Sequence, residues 1–398
     1  MPETFTDDLP ELLDAVNEPM VELRHDLHAH PELAFQEFRT TQLIKDRLAS
    51  LDFEIRPCPT NTGAVARLVG GRPGQRVMIR ADIDGLPVQE ERDLPYASTV
   101  EGVMHACGHD VHTASLLGVA DILSRRRNEL AGEFTLLFQP AEEVIGGAIA
   151  MIEGGVMNDN PVDYVIGAHV TSLAPVGVVA TRSGILMSDG QTLSVHISGR
   201  GGHGAMSTIE GNVVLAVSDI APRLSSVVDG LVYEGTTCAC SAGVISAGAA
   251  NNVVPRHALL RGTLRTFTFE QKREALSRLR ALLDDVARTY TVTCELQLDV
   301  GTPAVVNDVD VTDVVRRSAT SVIGAKNVLD FAPVTPSDDV SEFLNRVPGC
   351  YFFVGGALAD GSSGMHHSPD FAIDDGACRI EAGVLVASAI DLASTDAV

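Results

Sequence analysis

RVMIRADID (76–84) is a short apolar run that ends in two aspartates, and three other apolar runs are likewise followed by acidic residues or histidines. They are FTLLFQP (134–140), DYVIGAH (163–169) and CYFFVGG (350–356). The runs are continuous rather than alternating, which is typical of strands that helices cover on both faces. Helical segments lie between them, so the sequence predicts an α/β domain with a mixed, mostly parallel sheet covered by helices.

Side chains that can bind metals stand just after these runs. Glu142 and Glu143 follow the second run, His169 ends the third, and His366 and His367 come soon after the fourth. In open α/β sheets, ligands bind beyond the carboxyl ends of the strands. The positions of these residues therefore favour a functional site at that edge of the sheet.

The stretch MHACGHDVHTA (104–114) adds further ligand types, with Cys107 and His109 two positions apart. Thiolate, imidazole and carboxylate groups from separate elements are what a catalytic metal site requires. Glu142 and Glu143 can divide the work, one as a ligand and its neighbour as a general base. Five candidate ligands exceed the need of one four-coordinate ion, so we predict a dinuclear site with a bridging ligand.

A different interpretation makes Cys107 a nucleophile that a neighbouring histidine activates. This interpretation gives no function to Glu142, Glu143, His169 and His367. Each residue alone also has an ordinary explanation, since free cysteines are usually small buried side chains and a glutamate pair suits a helix N-terminus. A chelator would abolish a metal enzyme's activity, whereas a cysteine enzyme would lose activity to an alkylating agent alone.

The middle of the chain has a different pattern, with alternating strands and two helices between residues 185 and 298. Their order, β-α-β-β-α-β, is that of the ferredoxin-like unit. Pro222 predicts a break in the first helix of this region. We predict a discontinuous domain formed by residues 1–184 and 299–398, with residues 185–298 as an inserted α+β domain.

The composition excludes some classes of function. A net charge of −24 argues against nucleic-acid binding, because a phosphate backbone requires a basic surface. No apolar run approaches the length of a membrane span, and the acidic N-terminal stretch lacks the features of a secretory signal. Seven cysteines without a framework spacing fit a reduced protein, so we expect a cytoplasmic location.

Seven segments in this order resemble the aminoacylase/carboxypeptidase family of dinuclear metal amidohydrolases. They are similar in particular to hippurate hydrolases, indole-3-acetyl-amino-acid hydrolases and N-acyl-amino-acid deacetylases. The segments are LRHDLHAHPELAFQEFRTT (23–41), RADIDGLPVQE (80–90), MHACGHDVHTA (104–114), FQPAEE (138–143), SGRGGHGAMS (198–207), NNVVPRHALLRGTLRTF (251–267) and HHSPDF (366–371). The resemblance runs through the whole chain.

The resemblance implies two divalent metal ions per subunit, with Mn, Zn, Co and Ni as the possible identities. The implied ligands are Cys107, His109, Glu143, His169 and His367. Cys107 would bridge the ions, and His367 rather than His366 is implied because the family's ligand lies two residues before the proline, here Pro369. Asp82 stands where related subfamilies have a metal-binding histidine, and we expect that it is not a ligand.

The resemblance also implies the catalytic residues. Glu142 would be the general base, and Asp84 would orient a ligand histidine. On its residues alone His203 reads as an exposed loop histidine, but the resemblance implies that it reaches the partner subunit's site and stabilises the oxyanion. Asn252 and Arg265 would hold the substrate's carboxylate.

Residues 185–298 would then be a lid that also forms a homodimer or a higher homo-oligomer. The implied reaction is cleavage of an N-acyl amino acid, or a similar small amide with a free carboxylate, in the domain formed by residues 1–184 and 299–398. Two alternatives stay open. One is a dipeptidase or carboxypeptidase that uses the same site, and the other is a catalytically silent relative used for binding or assembly.

Overall fold

The computed structural model describes residues 3–394. Its helices are α1 (Glu3–Ala29), α2 (Phe38–Ser50), α3 (His109–Arg126), α4 (Gly147–Glu153), α5 (Val156–Asp159), α6 (Val213–Arg223), α7 (Phe269–Tyr290), α8 (Val309–Ile323), α9 (Ser341–Leu344) and α10 (Gly376–Ser394). Its strands are β1 (Glu54–Arg56), β2 (Ala64–Val69), β3 (Arg72–Asp82), β4 (Ala131–Gln139), β5 (Tyr164–Pro175), β6 (Val179–Ala180), β7 (Gly184–Met187), β8 (Asp189–Ser198), β9 (Gly202–His203), β10 (Val232–Tyr233), β11 (Thr236–Thr237), β12 (Ala239–Ala247), β13 (Val253–Val254), β14 (His257–Thr266), β15 (Thr293–Thr302), β16 (Val305–Asn307), β17 (Val328–Leu329) and β18 (Gly349–Ala357).

The chain forms two compact units. The α/β unit comprises Met1–Gly184, Val306–Phe331 and Asp339–Val398, and the inserted unit comprises Ile185–Val305 and Ala332–Asp338. The inserted unit thus extends beyond the predicted boundary at residue 298. Its last strand, β15, continues to Thr302 and still pairs with β8 at that end.

The sheet of the α/β unit has the strand order β1-β2-β4-β3-β5-β18-β6-β17. Its four central strands, β4, β3, β5 and β18, contain the four apolar runs and pair in parallel. Successive residues of these strands are buried, for example residues 77–82 of β3. Because successive side chains point to opposite faces, both faces of the sheet are covered. The prediction of a mixed sheet covered by helices is confirmed.

Four helices, α1, α3, α8 and α10, pack against one another beside this sheet, and α3 and α10 also contact β3. α10 is apolar around most of its circumference and almost entirely buried, as expected of a core helix. α1 and α3 approach closely, because a Cβ built on Gly118 would overlap the side chain of Met20. Among the described residues, no helix combines the length and apolarity that a membrane span needs.

The inserted unit is a four-stranded antiparallel sheet of order β12-β14-β8-β15 with two helices. Along the chain its main elements follow the order β8-α6-β12-β14-α7-β15, as predicted. α6 ends at Arg223, directly after Pro222, and a 3₁₀ segment follows it. A capping box of Thr268 and Gln271 starts α7. The unit has a core of its own, which includes Leu193, Val195, Ile197, Leu279 and Val286.

Candidate metal centre

The turn that carries Cys107 and His109 is built around a glycine. Gly108 has a φ of 92°, in the left-handed region, and is the N-cap of α3. A Cβ at this position would overlap Cγ1 of Val170, so the turn requires glycine. The helix begins at His109, because the tight turn leads directly into it.

The loop after β4 presents Glu142 and Glu143 from an unusual backbone. Ala141 and Ile145, on either side of the pair, have φ values of 56° and 53°. The amide of Ile145 donates to the carbonyl of Glu142 at 2.8 Å and closes the turn. Ligand-type atoms of His109, Glu142 and Glu143 all lie within 4.8 Å of one another.

The five predicted ligands form one connected cluster in the α/β unit. Sγ of Cys107 lies 3.5 Å from Nε2 of His169. Nε2 of His109 lies 3.9 Å from Oε1 of Glu143, whose Oε2 is 3.5 Å from Nε2 of His367. The sequence predicts His169 at the end of a strand, but β5 continues beyond His169 and ends at Pro175. Its imidazole reaches the cluster from within the strand.

Hydrogen bonds fix the orientation of two of the histidines. Nδ1 of His169 donates to the carbonyl of Val170 at 2.6 Å, which leaves Nε2 facing Cys107. Nδ1 of His109 lies 2.9 Å from the carbonyl oxygen of Asp84 and 3.2 Å from its Oδ1. This arrangement, with one nitrogen donating and the other turned to a shared centre, is typical of metal-binding histidines.

Two buried atoms of the cluster are unpaired. Nε2 of His109 and Oε1 of Glu143 have no hydrogen-bond partner in the part of the chain that the structure describes. Buried polar atoms are nearly always paired, so both atoms indicate a partner other than protein. Thiolate, imidazole and carboxylate donors from Cys107, His109, His169 and Glu143 suit a divalent transition metal. The residues present therefore fit such an ion.

The protonation of the cluster points the same way. Burial lowers the pKa of His109, but the charges of Asp82 and Asp84 outweigh it and raise that pKa to about 10. Burial raises the pKa of Glu143 to about 7. Burial and nearby carboxylates also raise the pKa of Cys107 well above its usual range. A divalent ion competes with protons for these ligand atoms, so metal binding at the cluster depends on pH.

Asp82 and His112 are hydrogen-bonded to each other. Oδ1 of Asp82 accepts from Nδ1 of His112 at 2.6 Å, and its Oδ2 accepts from Arg80 at 2.6 Å. Nε2 of His112 accepts from the amide of Val170 at 2.9 Å, so both nitrogens of this ring are used. Oδ1 of Asp82 also lies 3.8 Å from Nε2 of His109. The expectation that Asp82 is not a metal ligand stays a prediction.

His366 also lies beside the cluster, although the resemblance implies His367 and not His366 as the ligand. Its Nδ1 lies 3.7 Å from Sγ of Cys107, and its Nε2 accepts from the amide of Ser172 at 3.3 Å. His367, the predicted ligand, has a φ of 65° and faces Glu143. In the sequence, His366 is marked only by its position next to His367 in the HHSPDF segment. The backbone geometry is needed to decide which of the two histidines faces which atoms of the cluster.

The inserted unit contains three of the predicted site residues, and they lie in two different places within that unit. His203 is exposed on β9, opposite Val253 of β13, and the amide of Gly204 donates to the carbonyl of Asn252 at 2.8 Å. His203 and Asn252 therefore share one loop region. Arg265 lies on β14 of the main sheet, where its guanidinium hydrogen-bonds the hydroxyl of Ser337.

Comparison with known proteins identifies the family. The sequence profile of peptidase family M20/M25/M40 matches residues 78–390. The chain belongs to this family. It is 35% identical over 392 residues to thermostable carboxypeptidase 1 of Saccharolobus solfataricus, covering 96% of each chain. It is 35% identical over 366 residues to N-acetyl-L-cysteine deacetylase of Bacillus subtilis, covering 92% of this chain and 86% of the relative.

Among solved structures of the M20 family, the Bacillus subtilis YXEP protein, a dinuclear metal binding peptidase, is similar to this chain. The TM-score is 0.80 at 31% identity, with 96% of this chain and 99% of that chain covered. The predicted family and the predicted enzyme class, a metal-dependent hydrolase of linear amides, are therefore confirmed. The assignments of individual site residues stay predictions.

Proposed function

We propose that this M20-family hydrolase cleaves the amide bond of N-acyl amino acids, or of similar small amides with a free carboxylate. The observation that carries the proposal is the position of Glu142 beside Glu143 and within 4.8 Å of His109. A carboxylate next to a cluster of metal ligands is placed to move protons during amide hydrolysis. The similarity to a deacetylase of an N-acetylated amino acid supports the substrate class.

Two divalent ions, from Mn, Zn, Co or Ni, would be held by Cys107, His109, Glu143, His169 and His367. When bound, such ions polarise the amide carbonyl and lower the pKa of water. Oδ1 of Asp84 accepts a hydrogen bond from Nδ1–H of His109 and so keeps the proton of this imidazole on Nδ1.

Glu142 moves the proton of the reaction. Its carboxylate takes a proton from water as the water oxygen attacks the carbonyl carbon. The same carboxyl group then gives this proton to the amide nitrogen as the carbon–nitrogen bond breaks. Glu142 is buried, which keeps bulk water from competing for the proton.

The inserted unit would supply the remaining contacts with the substrate. Asn252 and Arg265 bind its carboxylate, and the planar guanidinium of Arg265 offers two parallel donors. His203 reaches the site of the partner subunit and stabilises the oxyanion, which requires a homodimer or a higher homo-oligomer. We place this enzyme in the cytoplasm, acting on a small molecule and not on nucleic acid or membrane.

A second candidate function is carboxypeptidase or dipeptidase activity at the same site, which the similarity to a thermostable carboxypeptidase favours. A panel of acetyl- and benzoyl-amino acids and dipeptides, with Mn²⁺, Zn²⁺ or Co²⁺ supplied, separates the two. Hydrolysis of the N-acyl amino acids without cleavage of dipeptides supports the first function. Cleavage of dipeptides alone supports the second.

The assignment of Glu142 is tested by Glu142→Gln in the metal-loaded enzyme. Glutamine keeps the size of the side chain but cannot accept the proton, so we expect kcat to fall by about 1,000-fold. The metal content, measured by elemental analysis, stays that of the unmodified enzyme. The matched control is Glu143→Gln, which loses metal because it removes a proposed ligand. Retained turnover in Glu142→Gln would contradict the assignment.

A further inference from the structure

A buried carboxylate from the N-terminal part of the chain contacts the loop of Glu142. Glu37 has no exposed surface, and one of its oxygens accepts from the amide of Ala141 at 2.9 Å. Its other oxygen accepts from the hydroxyl of Thr62 at 2.7 Å. Glu37 precedes residues 78–390, the range that the family's sequence profile matches. It nevertheless contacts the residue directly before the proposed general base.

The local structure around Glu37 does not require this contact. Glu37 is the N-cap of α2, a position whose side chain usually accepts a hydrogen bond from its own helix. Its side chain makes no such bond. Glu32 performs the capping instead, since its two oxygens accept from the amides of Arg39 at 2.9 Å and Thr40 at 2.8 Å. The carboxylate of Glu37 therefore serves another part of the molecule.

The partner of Glu37 is a residue with a strained backbone. Ala141 has a φ of 56°, which is unfavourable for a residue with a Cβ and persists only where the surroundings hold it. Glu37 holds the amide of Ala141 on one side of Glu142. On the other side, Oδ2 of Asp84 accepts from the amide of Glu143 at 3.0 Å. Two buried carboxylates thus fix the backbone on both sides of Glu142.

We propose that Glu37 is a positioning residue for Glu142. Its carboxylate keeps Ala141 in the left-handed conformation that directs Glu142 and Glu143 towards the metal ligands. Without this acceptor, the turn relaxes and both carboxylates move from the cluster. The proposal rests on the proposed function of Glu142 for its effect on turnover, whereas its effect on metal affinity is independent of any substrate.

The test compares Glu37→Ala, Glu37→Gln and the control Glu32→Ala as full-length proteins. In Glu37→Ala we expect kcat to fall by about 10- to 100-fold and the affinity of the metal-free protein for Zn²⁺ to fall about 10-fold, since Glu143 lies on the same turn. KM stays within a few-fold of the unmodified value. Glu37→Gln keeps an acceptor for the amide of Ala141 and recovers most of kcat. Glu32→Ala loses stability but keeps both kcat and Zn²⁺ affinity.

Thr62→Val is a second variant that preserves the shape of the site and removes the hydroxyl that orients Glu37. We expect kcat to fall about fivefold, the equivalent of one hydrogen bond. Unchanged kcat and Zn²⁺ affinity in Glu37→Ala would overturn the proposal, as would an unchanged kcat in Thr62→Val if Glu37→Ala does not fold. Equal losses of kcat in Glu37→Ala and Glu32→Ala would also overturn it, because they would indicate a structural effect alone. If the unmodified enzyme cleaves no amide, the proposed function fails, while the Zn²⁺ affinities still decide the position of the turn.

Discussion

Asp84 accepts hydrogen bonds from two separate parts of the candidate metal centre. Its Oδ1 lies 3.2 Å from Nδ1 of His109, and its Oδ2 accepts from the amide of Glu143 at 3.0 Å. A carboxylate is suited to this position because both of its oxygens are acceptors. An asparagine would have to turn its NH₂ group towards one of the two donors. The two oxygens of Asp84 can therefore accept hydrogen bonds from two proposed ligand residues, His109 and Glu143, at once.

We predict that Asp84→Asn lowers the affinity for Zn²⁺ by about 10- to 100-fold, because one proposed ligand loses its acceptor. Competition with a chromophoric chelator measures this affinity in the metal-free protein. Asp163→Asn is the control, since Asp163 also accepts from a backbone amide, that of Arg76, but does so away from the cluster. The prediction is wrong if the two variants bind Zn²⁺ equally well.

At the scale of elements, the start of α3 depends on Gly108. The glycine adopts a left-handed conformation and lies against Val170 of β5, so it sets the position of the helix against the sheet. Cys107 and His109 flank it directly. A displacement of this turn therefore moves two proposed ligands together, whereas a change at His169 affects one.

We predict that Gly108→Ala destabilises the protein by about 3 kcal/mol and weakens Zn²⁺ binding. The added methyl group introduces left-handed strain and overlaps Val170. Denaturant unfolding measures the stability. The matched control is Gly177→Ala, where φ is 96° but a Cβ has no atom within 4 Å, so only the strain of about 1 kcal/mol applies. Equal destabilisation by the two substitutions would contradict the contribution of Val170.

Buried charges join α1 to the first turn of α3. Oδ2 of Asp110 accepts from Nε of Arg24 at 3.1 Å and lies 3.0 Å from Nδ1 of His28. Nε2 of His28 lies 3.3 Å from Oε1 of Glu90. Burial lowers the pKa of His28, but Asp110 and Glu90 outweigh this effect and raise that pKa to about 9. Near neutral pH, His28 of α1 is therefore positively charged where it contacts Asp110 of α3.

We predict that His28 makes stability fall as the pH rises. Its folded-state pKa of about 9 lies above the usual 6.5, so its contribution is complete below about pH 6.5 and is lost as the pH rises through about 9. The loss amounts to about 3 kcal/mol. Denaturant unfolding across this range should show a smaller decline in His28→Asn than in the unmodified protein. His30→Asn, at a partly exposed position of the same segment, should decline like the unmodified protein, and the same decline in all three would contradict the prediction.

At the scale of the whole molecule, local patterns predict the features that neighbouring residues determine. The continuous apolar runs predicted the four central strands. The ligand-type residues after those runs, with Cys107 and His109 from the stretch 104–114, predicted the residues of the cluster. The contact between Glu37 and Ala141 spans 104 positions, and neither residue shows a local pattern that predicts it. Residues 332–338 belong to the inserted unit for a similar reason, since the amide of Ser188 pairs with the carbonyl of Val334. Such long-range pairings require the folded backbone.

The two units have separate cores, and the five proposed ligands all belong to the α/β unit. A bound ion adds its binding free energy to every local opening that would release it. We therefore predict that Zn²⁺ at about 100 times its Kd slows hydrogen exchange by about 100-fold at the start of α3, in the loop after β4 and around His169. Exchange in α7 and β14 of the inserted unit should stay unchanged. Mass spectrometry of peptides from the metal-free and Zn²⁺-loaded protein measures both regions, and equal slowing in α7 would show that the ion stabilises the two cores together.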